Sequence, residues 1–309
     1  MAEISLAPMM KYTTPLFRML IRKTSKMAVL FTEMIVSSTV IHVSQEKLKF
    51  MLGVPEDLTV VQLGGSNPDE LAKSVQILKD LGWKHFNLNC GCPSDRVQNG
   101  KFGALLMLEK ENVAKIINKI YQETGIIISL KIRVGVDEND SFEFFKGFVD
   151  YIATHSPCTK FYVHARKCWL CGLNPKQNRN IPPLNYQFVY DLKEMYPHLF
   201  ISLNGGIKEN FHDKIKNLDG LMIGRYAVDD ISVFAKYENA SVDIKTIIKE
   251  YIEEGCQLMP PRTKLMMPLI NLRKGKTHAT SLKQTINYII QHNVSYDEIY
   301  PMIEPFLSD

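Results

Sequence analysis

An alternation is the strongest constraint on how this chain folds. Short apolar, β-branched runs recur at residues 4–7 (ISLA), 29–33 (VLFTE), 59–64 (TVVQLG), 85–89 (HFNLN), 126–132 (IIISLKI), 160–165 (KFYVHA), 199–205 (LFISLNG) and 219–224 (DGLMIG). Between most of them the apolar spacing turns helical, as at residues 14–25, 68–81, 110–123 and 141–154. Asn67 before Pro68 predicts a helix start, with Asn67 as N-cap and Pro68 at the first helical position. Ser141 predicts a second cap. Continuous apolar strands alternating with helices predict a parallel sheet covered on both faces. Eight of them over roughly 230 residues predict an α/β fold of the (β/α)8 TIM-barrel type. An open doubly wound sheet is the alternative, but no G-x-G-x-x-G follows the first strand.

In such a barrel the chemistry sits at the C-terminal ends of the strands. Those ends carry Glu33, Gln62, Asn89, Lys131 with Arg133, His164 with Arg166, Asn204 with Gly205 and Gly206, and Gly224 with Arg225. Any strand leaving a core tends to end in polar residues, so each position alone says little. Gathered at one rim, they outline a site. The glycines after the last two strands let backbone N–H groups approach a phosphate, and a guanidinium can reinforce it. Ordinary αβ turns are the alternative reading of the same glycines.

The fourth strand runs into a polar loop, NLNCGCPSDRVQNGKFG at residues 87–103, which presents Cys92 beside Pro93. A free thiol is mostly protonated at neutral pH, so it can act as an acid as well as a nucleophile. The pairs C-G-C at 90–92 and C-W-L-C at 168–171 invite a zinc or redox reading. The first spacing is unusual for structural zinc, and on a strand end Cys90 faces away from Cys92. No metal is expected.

Beyond residue 240 the strand signals stop. Helical patterns remain at 243–253, 262–273, 280–292 and 296–306. The chain therefore divides into a catalytic barrel, residues 1–238, and a small all-helical domain, residues 239–309. Residues 255–296 hold no Asp or Glu, but they hold Arg262, Lys264, Arg273, Lys274, Lys276 and Lys283. Such a run suits a polyanion, since phosphate contacts come mostly from Lys and Arg; a plain solvated face is the alternative. The net charge of +4 permits an anionic partner without requiring one. The six cysteines follow no secreted disulfide pattern, no apolar run reaches membrane-spanning length, and a first strand beginning this early leads us to expect no cleaved leader. A cytoplasmic monomer that does not bind membranes is expected, with organellar import left open.

The segments APMM (7–10), FTEM (31–34), QLGGSNP (62–68), NLNCGCPSDRVQNGKFGALLM (87–107), LKIRVGVDEND (130–140), VHARKCWLCGLNPKQNRNIPPL (163–184), NGGI (204–207) and MIGR (222–225) point one way. Over about residues 3 to 230 the sequence resembles the tRNA-dihydrouridine synthases, most closely their A branch. The resemblance implies a TIM barrel that binds FMN, reduced by NADPH, and a helical domain that helps hold tRNA. It implies hydride transfer from flavin N5 to uracil C6, with Cys92 protonating C5. It places FMN contacts on Pro8, Met9, Gln62, Lys131, His164, Asn204, Gly206, Gly224 and Arg225. Asn89 is expected to face the uracil, Arg133 and Arg166 to meet substrate, and Lys176 and Arg179 to meet tRNA. The A branch implies uridines 20 and 20a. The chain departs from the pattern in the helical domain, where Thr280 and Leu282 stand in place of an Arg and a Trp. Two other readings are an FMN oxidoreductase for a small pyrimidine and a catalytically silent tRNA-binding protein. Arg96, Lys176 and Arg179 speak against the first; intact Cys92, Lys131 and His164 speak against the second.

Overall fold

The computed structural model describes residues 2–209 and 211–307, the Arg96 side chain excepted. Its strands are β1 (Glu3–Leu6), β2 (Val29–Phe31), β3 (Ile35–Val36), β4 (Thr59–Gly64), β5 (His85–Cys90), β6 (Ser129–Arg133), β7 (Lys160–His164), β8 (Phe200–Asn204) and β9 (Gly220–Ile223). They form one parallel sheet in the order β2-β1-β9-β8-β7-β6-β5-β4-β3, and pairing of β2 with β4 closes it. The expected TIM barrel is present, with helices outside.

The ninth strand is a break in the second stave, not an extra one. Strand β2 pairs Phe31 with Val60, and β3 resumes on the same neighbour with Ile35 against Leu63. At the break the Thr32 hydroxyl accepts the Gln62 N–H at 3.1 Å and donates to the Glu33 carbonyl at 2.8 Å. The side chain thus takes over a ladder bond that the backbone gives up. The run expected from residue 126 begins pairing only at Ser129; upstream, the Ile126 N–H is diverted to the Thr124 hydroxyl at 3.1 Å.

Helix starts follow the expected chemistry. Asn67 Oδ1 accepts from the Glu70 N–H at 3.0 Å, and Ser141 Oγ from the Phe144 N–H at 3.1 Å. Part of the barrel interior is filled by an apolar cluster of Ala7, Phe31, Val60, Tyr162 and Met222. There Glu3 closes the floor, accepting from the Tyr162 hydroxyl at 2.7 Å and from Lys160 at 2.6 Å. A polar part of the interior forms the site.

After β9 the described chain is helical. Helix Ile244–Gln257 packs on helix Pro15–Thr24, where Lys23 reaches Glu250 at 3.3 Å and Glu254 at 2.6 Å. The helix expected over 262–273 is shorter. It ends at Met266, passes into a 3-10 turn over Met267–Leu269 and then into irregular turns. Pro268 is the reason, since it has no N–H with which to continue the α-helical ladder. Helices Ala279–Gln291 and Tyr296–Ile303 complete the appendage. No helix among the described residues is long and apolar enough to cross a membrane.

Candidate active site

A buried chain of amides crosses the upper barrel. The Asn87 side chain donates to Ser129 Oγ at 3.0 Å, Gln62 donates to Asn87 Oδ1 at 2.9 Å, and Asn89 donates to Gln62 Oε1 at 2.9 Å. Asn89 Oδ1 then accepts two backbone N–H groups, Gly91 at 3.1 Å and Cys92 at 3.0 Å. Alternation along β5 explains the arrangement. Asn87 and Asn89 point into the barrel, while Phe86, Leu88 and Cys90 pack in the outer hydrophobic layer. Every amide in the chain has a partner, so its members are fixed in rotamer and in flip. Asn87 and Ser129 escape a reading of strand ends because they lie below the rim. The signal that could have found them is polar residues at i and i+2 within an otherwise apolar strand.

That chain ends at the loop carrying Cys92. The loop is closed at its base by the Ala104 N–H donating to the Cys92 carbonyl at 2.9 Å. Gly103 makes the closure possible. Its φ is +70°, and a Cβ there would lie 2.5 Å from the Cys92 carbonyl oxygen. Cys92 itself is half-buried, and its thiol donates to Ser94 Oγ at 3.5 Å. Cys90, by contrast, is fully buried, and burial pushes its thiol far up. The two cysteines of the C-G-C pair therefore face different environments, and Cys168 is buried while Cys171 is exposed.

Around Cys92 stand cations with no carboxylate among the groups that perturb them. Burial pushes Lys131 down to about 7, and Arg133 pushes the same way. Burial also lowers Arg133, Arg166 and Arg179, with Arg225 adding to the effect on the last two. His164 is held well below its usual range, first by burial and then by Arg133, Lys131, Arg166 and Arg225, so it is neutral. These side chains are anchored by neutral groups. Lys131 donates to Asn204 Oδ1 at 3.0 Å, and Asn204 Nδ2 donates to the Met222 carbonyl at 2.8 Å. Arg225 donates to Asn180 Oδ1 at 2.8 Å.

The loops after β7, β8 and β9 meet at one corner of this rim. Gly205 and Gly206 have φ of +118° and +66°, and a Cβ on either would come within 2.8 Å of a neighbour: His164 and Leu184 for Gly205, Leu184 and Tyr186 for Gly206. Tyr186 donates its hydroxyl proton to the Gly205 carbonyl at 2.7 Å. Arg166 bonds the Pro182 carbonyl through one terminal nitrogen, while its buried Nε has no partner. Pro8 and Met9 follow β1 at the same rim, and Met9 Sδ borders Gly224, 3.7 Å from where a Cβ would sit.

Two groups of expected residues are placed differently from this corner. Arg133 is turned inward, only 4% exposed, with Nε on the Gly91 carbonyl at 2.6 Å and a terminal nitrogen 3.1 Å from the Lys167 carbonyl. Lys176 and Arg179 lie on the loop that crosses the β7 end; Lys176 is open to solvent, and Arg179 keeps accessible surface while its guanidinium is partly desolvated. Asn178, between them in sequence, is fully buried and pins that loop through the Trp169 and Leu173 carbonyls at 2.8 and 2.9 Å.

The acid-free run of the appendage does not form a continuous basic face. Arg262 stacks on the Tyr296 ring at 3.3 Å and donates to the Val294 carbonyl at 2.6 Å. Lys264 lies over the Phe50 ring at 3.6 Å, Lys274 pairs with Asp229 at 2.5 Å, and Arg273 is buried against Thr277. Lys276 and Lys283 are the members of the run whose side chains stay exposed without a partner among the described residues. Leu282 is buried in the appendage core, and Thr280 is exposed. A cleft of about 1150 Å³ runs from Lys11, Tyr12 and Glu33 at the rim to Leu258, Lys264 and Met267 on the appendage.

Comparison with known proteins gives this geometry its context. The family model described as Dihydrouridine synthase (Dus) matches residues 5–299. The chain belongs to the dihydrouridine synthase family. Among curated relatives, the tRNA-dihydrouridine(20/20a) synthase of Pasteurella multocida is 43% identical over 243 residues, 78% of this chain and 73% of its own length. The protein of the same name from Vibrio cholerae is 39% identical over 260 residues, covering 84% of this chain and 79% of the relative. That of Synechocystis is 36% identical over 297 residues, covering 92% and 88%. The match to the dihydrouridine synthase model therefore spans the barrel, the Cys92 loop and most of the appendage.

Proposed function

We propose that this chain reduces uridine to 5,6-dihydrouridine in tRNA, at positions 20 and 20a, with FMN as cofactor and NADPH as reductant. The observation that carries the reading is Cys92 held beside a rim of cations that form no ion pair with a carboxylate among the described residues. Family membership and the names of the relatives support the same reaction.

The donor set suits FMN. The left-handed glycines beside Arg225 make a cradle for its phosphate. Lys131 would help hold the flavin and would offset negative charge gained on its reduction. Pro8, Met9, Gln62, His164, Asn204, Gly206 and Gly224 supply the remaining walls. Bound FMN, once reduced by NADPH, supplies the hydride that adds to uracil C6.

The chain's own residues do the rest. Addition at C6 leaves negative charge on the uracil C4 oxygen and C5. Lys131 and the surrounding guanidinium groups stabilise that charge in a partly dry site. Cys92 gives C5 its proton. Asn89, already holding the Cys92 backbone, has one amide hydrogen left for the uracil. The target base must leave its stack to reach the barrel mouth, and Lys176, Arg179 and Arg166 take the backbone that follows it. Arg133 contributes by holding the Gly91 carbonyl. The helical segment 239–309 supports the RNA through Lys276 and Lys283, and the cleft beside it has room for unpaired nucleotides. A free pyrimidine would require none of these exposed cations.

The test is direct. Unmodified tRNA transcript is incubated with the protein, FMN and NADPH, and dihydrouridine is mapped by mass spectrometry of nuclease fragments. Dihydrouridine at 20 and 20a is expected, with free uridine unreacted. Flavin turnover on free uridine, or none on tRNA, would refute the reading.

A further inference from the structure

The Cys92 loop and the loop that carries Lys176 and Arg179 are joined by one amide. Gln98 Nε2 donates to the Pro93 carbonyl at 2.9 Å and to the Leu170 carbonyl at 2.7 Å. Both of its hydrogens are thereby used, one on each loop. Pro93 follows Cys92 directly. Leu170 is fixed in turn: its N–H donates to Asp137 Oδ1 at 2.7 Å, and the Trp169 N–H next to it donates to Asn178 Oδ1 at 2.8 Å. Arg133 makes a second link, from the Gly91 carbonyl to the Lys167 carbonyl.

We propose that Gln98 is a positioning residue, a latch through which the RNA-facing loop sets where Cys92 stands. The inference rests on the proposed reaction and deepens it, by making acid placement depend on the loop that meets the RNA. Local stiffness is the physical reason. Gln98 lies on a five-residue helix, Asp95–Asn99, and a helix that short has little stability of its own. Its place is fixed by what it bonds to. The base of the Cys92 loop is held from below by Asn89, but the far side, beyond Pro93, is held across the gap by Gln98. A proton donor must sit within hydrogen-bond reach of the carbon it serves, and an error near 1 Å costs on the order of 100-fold in rate. RNA seated on Lys176 and Arg179 presses on a segment whose displacement would pass through Leu170 to Pro93.

The experiment uses the full-length, FMN-loaded protein with Gln98→Ala, Gln98→Glu and each of these combined with Cys92→Ala. Glu keeps the length of the side chain but cannot donate when ionised, so it serves if Gln98→Ala folds poorly. Three rates are read: anaerobic flavin reduction by NADPH, single-turnover dihydrouridine formation from reduced enzyme, and alkylation of Cys92 by iodoacetamide without tRNA. Both single variants are expected to lower dihydrouridine formation by about 10- to 100-fold. Flavin reduction should stay within about twofold of wild type while Cys92 alkylation speeds up several-fold. In the Cys92→Ala background the Gln98 substitutions should cost nothing more, since a residue acting only through Cys92 has no second effect. Wild-type alkylation and wild-type dihydrouridine formation in both variants would overturn the latch, as would an equal loss in the Cys92→Ala background. If the wild-type chain forms no dihydrouridine, the functional reading fails separately. Alkylation then decides the latch: faster in the variants it stands, unchanged it falls.

Discussion

The barrel mouth and the helical appendage are both rich in cations, and they use them in opposite ways. At the mouth, Lys131, Arg133, Arg166, Arg179 and Arg225 form no ion pair with a carboxylate among the described residues, and all but Arg179 lean on carbonyls or amides. In the appendage, Arg262, Lys264 and Lys274 are each occupied by a ring, a carbonyl or an aspartate. The mouth therefore keeps its positive potential for a ligand, while much of the appendage's charge is absorbed in holding the fold. Counting basic residues along the sequence does not distinguish the two; their partners do.

The largest effect should come from removing charge at the mouth. Lys131→Met is expected to slow the tRNA-dependent step by about 100-fold or more, the scale of losing one preorganised charge at a developing anion. It should also change the pH profile. A lysine brought down to about 7 is protonated below that pH and neutral above it. Single-turnover rates should accordingly fall as pH rises past about 7, and Lys131→Met should flatten that limb. A descending limb that survives unchanged in the variant would assign the titration elsewhere.

The same shift makes a prediction about stability, with the sign set by linkage. Between about 7 and the ordinary lysine value, the unfolded chain binds a proton that the folded chain does not, so the flavin-free protein should gain stability as pH rises through that window. His164, depressed in the fold, acts in the same direction below its ordinary value of 6.5: stability falls as the pH is lowered through it. Melting temperatures of the flavin-free protein at pH 6 and pH 9 check this, and a higher value at pH 6 would contradict it.

An intermediate effect should come from beneath the mouth. Asn87→Ala leaves Gln62 and Ser129 short of a buried partner, at a cost of about 1–3 kcal/mol. Urea unfolding would measure it, and a loss below about 0.5 kcal/mol would mean the amide chain reorganises without it. The smallest effect belongs to the appendage, where two substitutions sharpen the contrast. Arg262→Ala should lower stability by about 1–2 kcal/mol through the lost ring and carbonyl contacts while leaving RNA affinity nearly unchanged. Joint replacement of Lys276 and Lys283 by Ala should do the reverse, with stability within about 0.5 kcal/mol and the salt dependence of tRNA binding shallower by up to about two phosphate contacts. Filter binding across a salt series separates them.

Much of this organisation is legible in the chain. The alternation of apolar runs gives all eight staves, and the residues closing them give the rim, because both depend on local pattern. What is not legible depends on partners distant in sequence. Whether Arg262 is free or stacked depends on Tyr296, and whether Lys274 is free depends on Asp229. Gln98 is one polar residue in a polar loop until Leu170, far along the chain, is placed beside it. The break between β2 and β3 likewise needs the Thr32 hydroxyl to meet β4. The shortened helix after Arg262 could have been anticipated from Pro268; the spacing of apolar residues alone conceals it.

Cys92, set by Asn89 and Gly103 beside the cationic mouth, is the proposed source of the proton for uracil. Cys92→Ala in a single-turnover assay with NADPH-reduced enzyme and unmodified tRNA tests it most directly. Flavin reduction at the wild-type rate, with dihydrouridine formation lowered by about 100-fold or more, is the predicted result. Dihydrouridine formed by the variant at the wild-type rate would show that the proton comes from elsewhere.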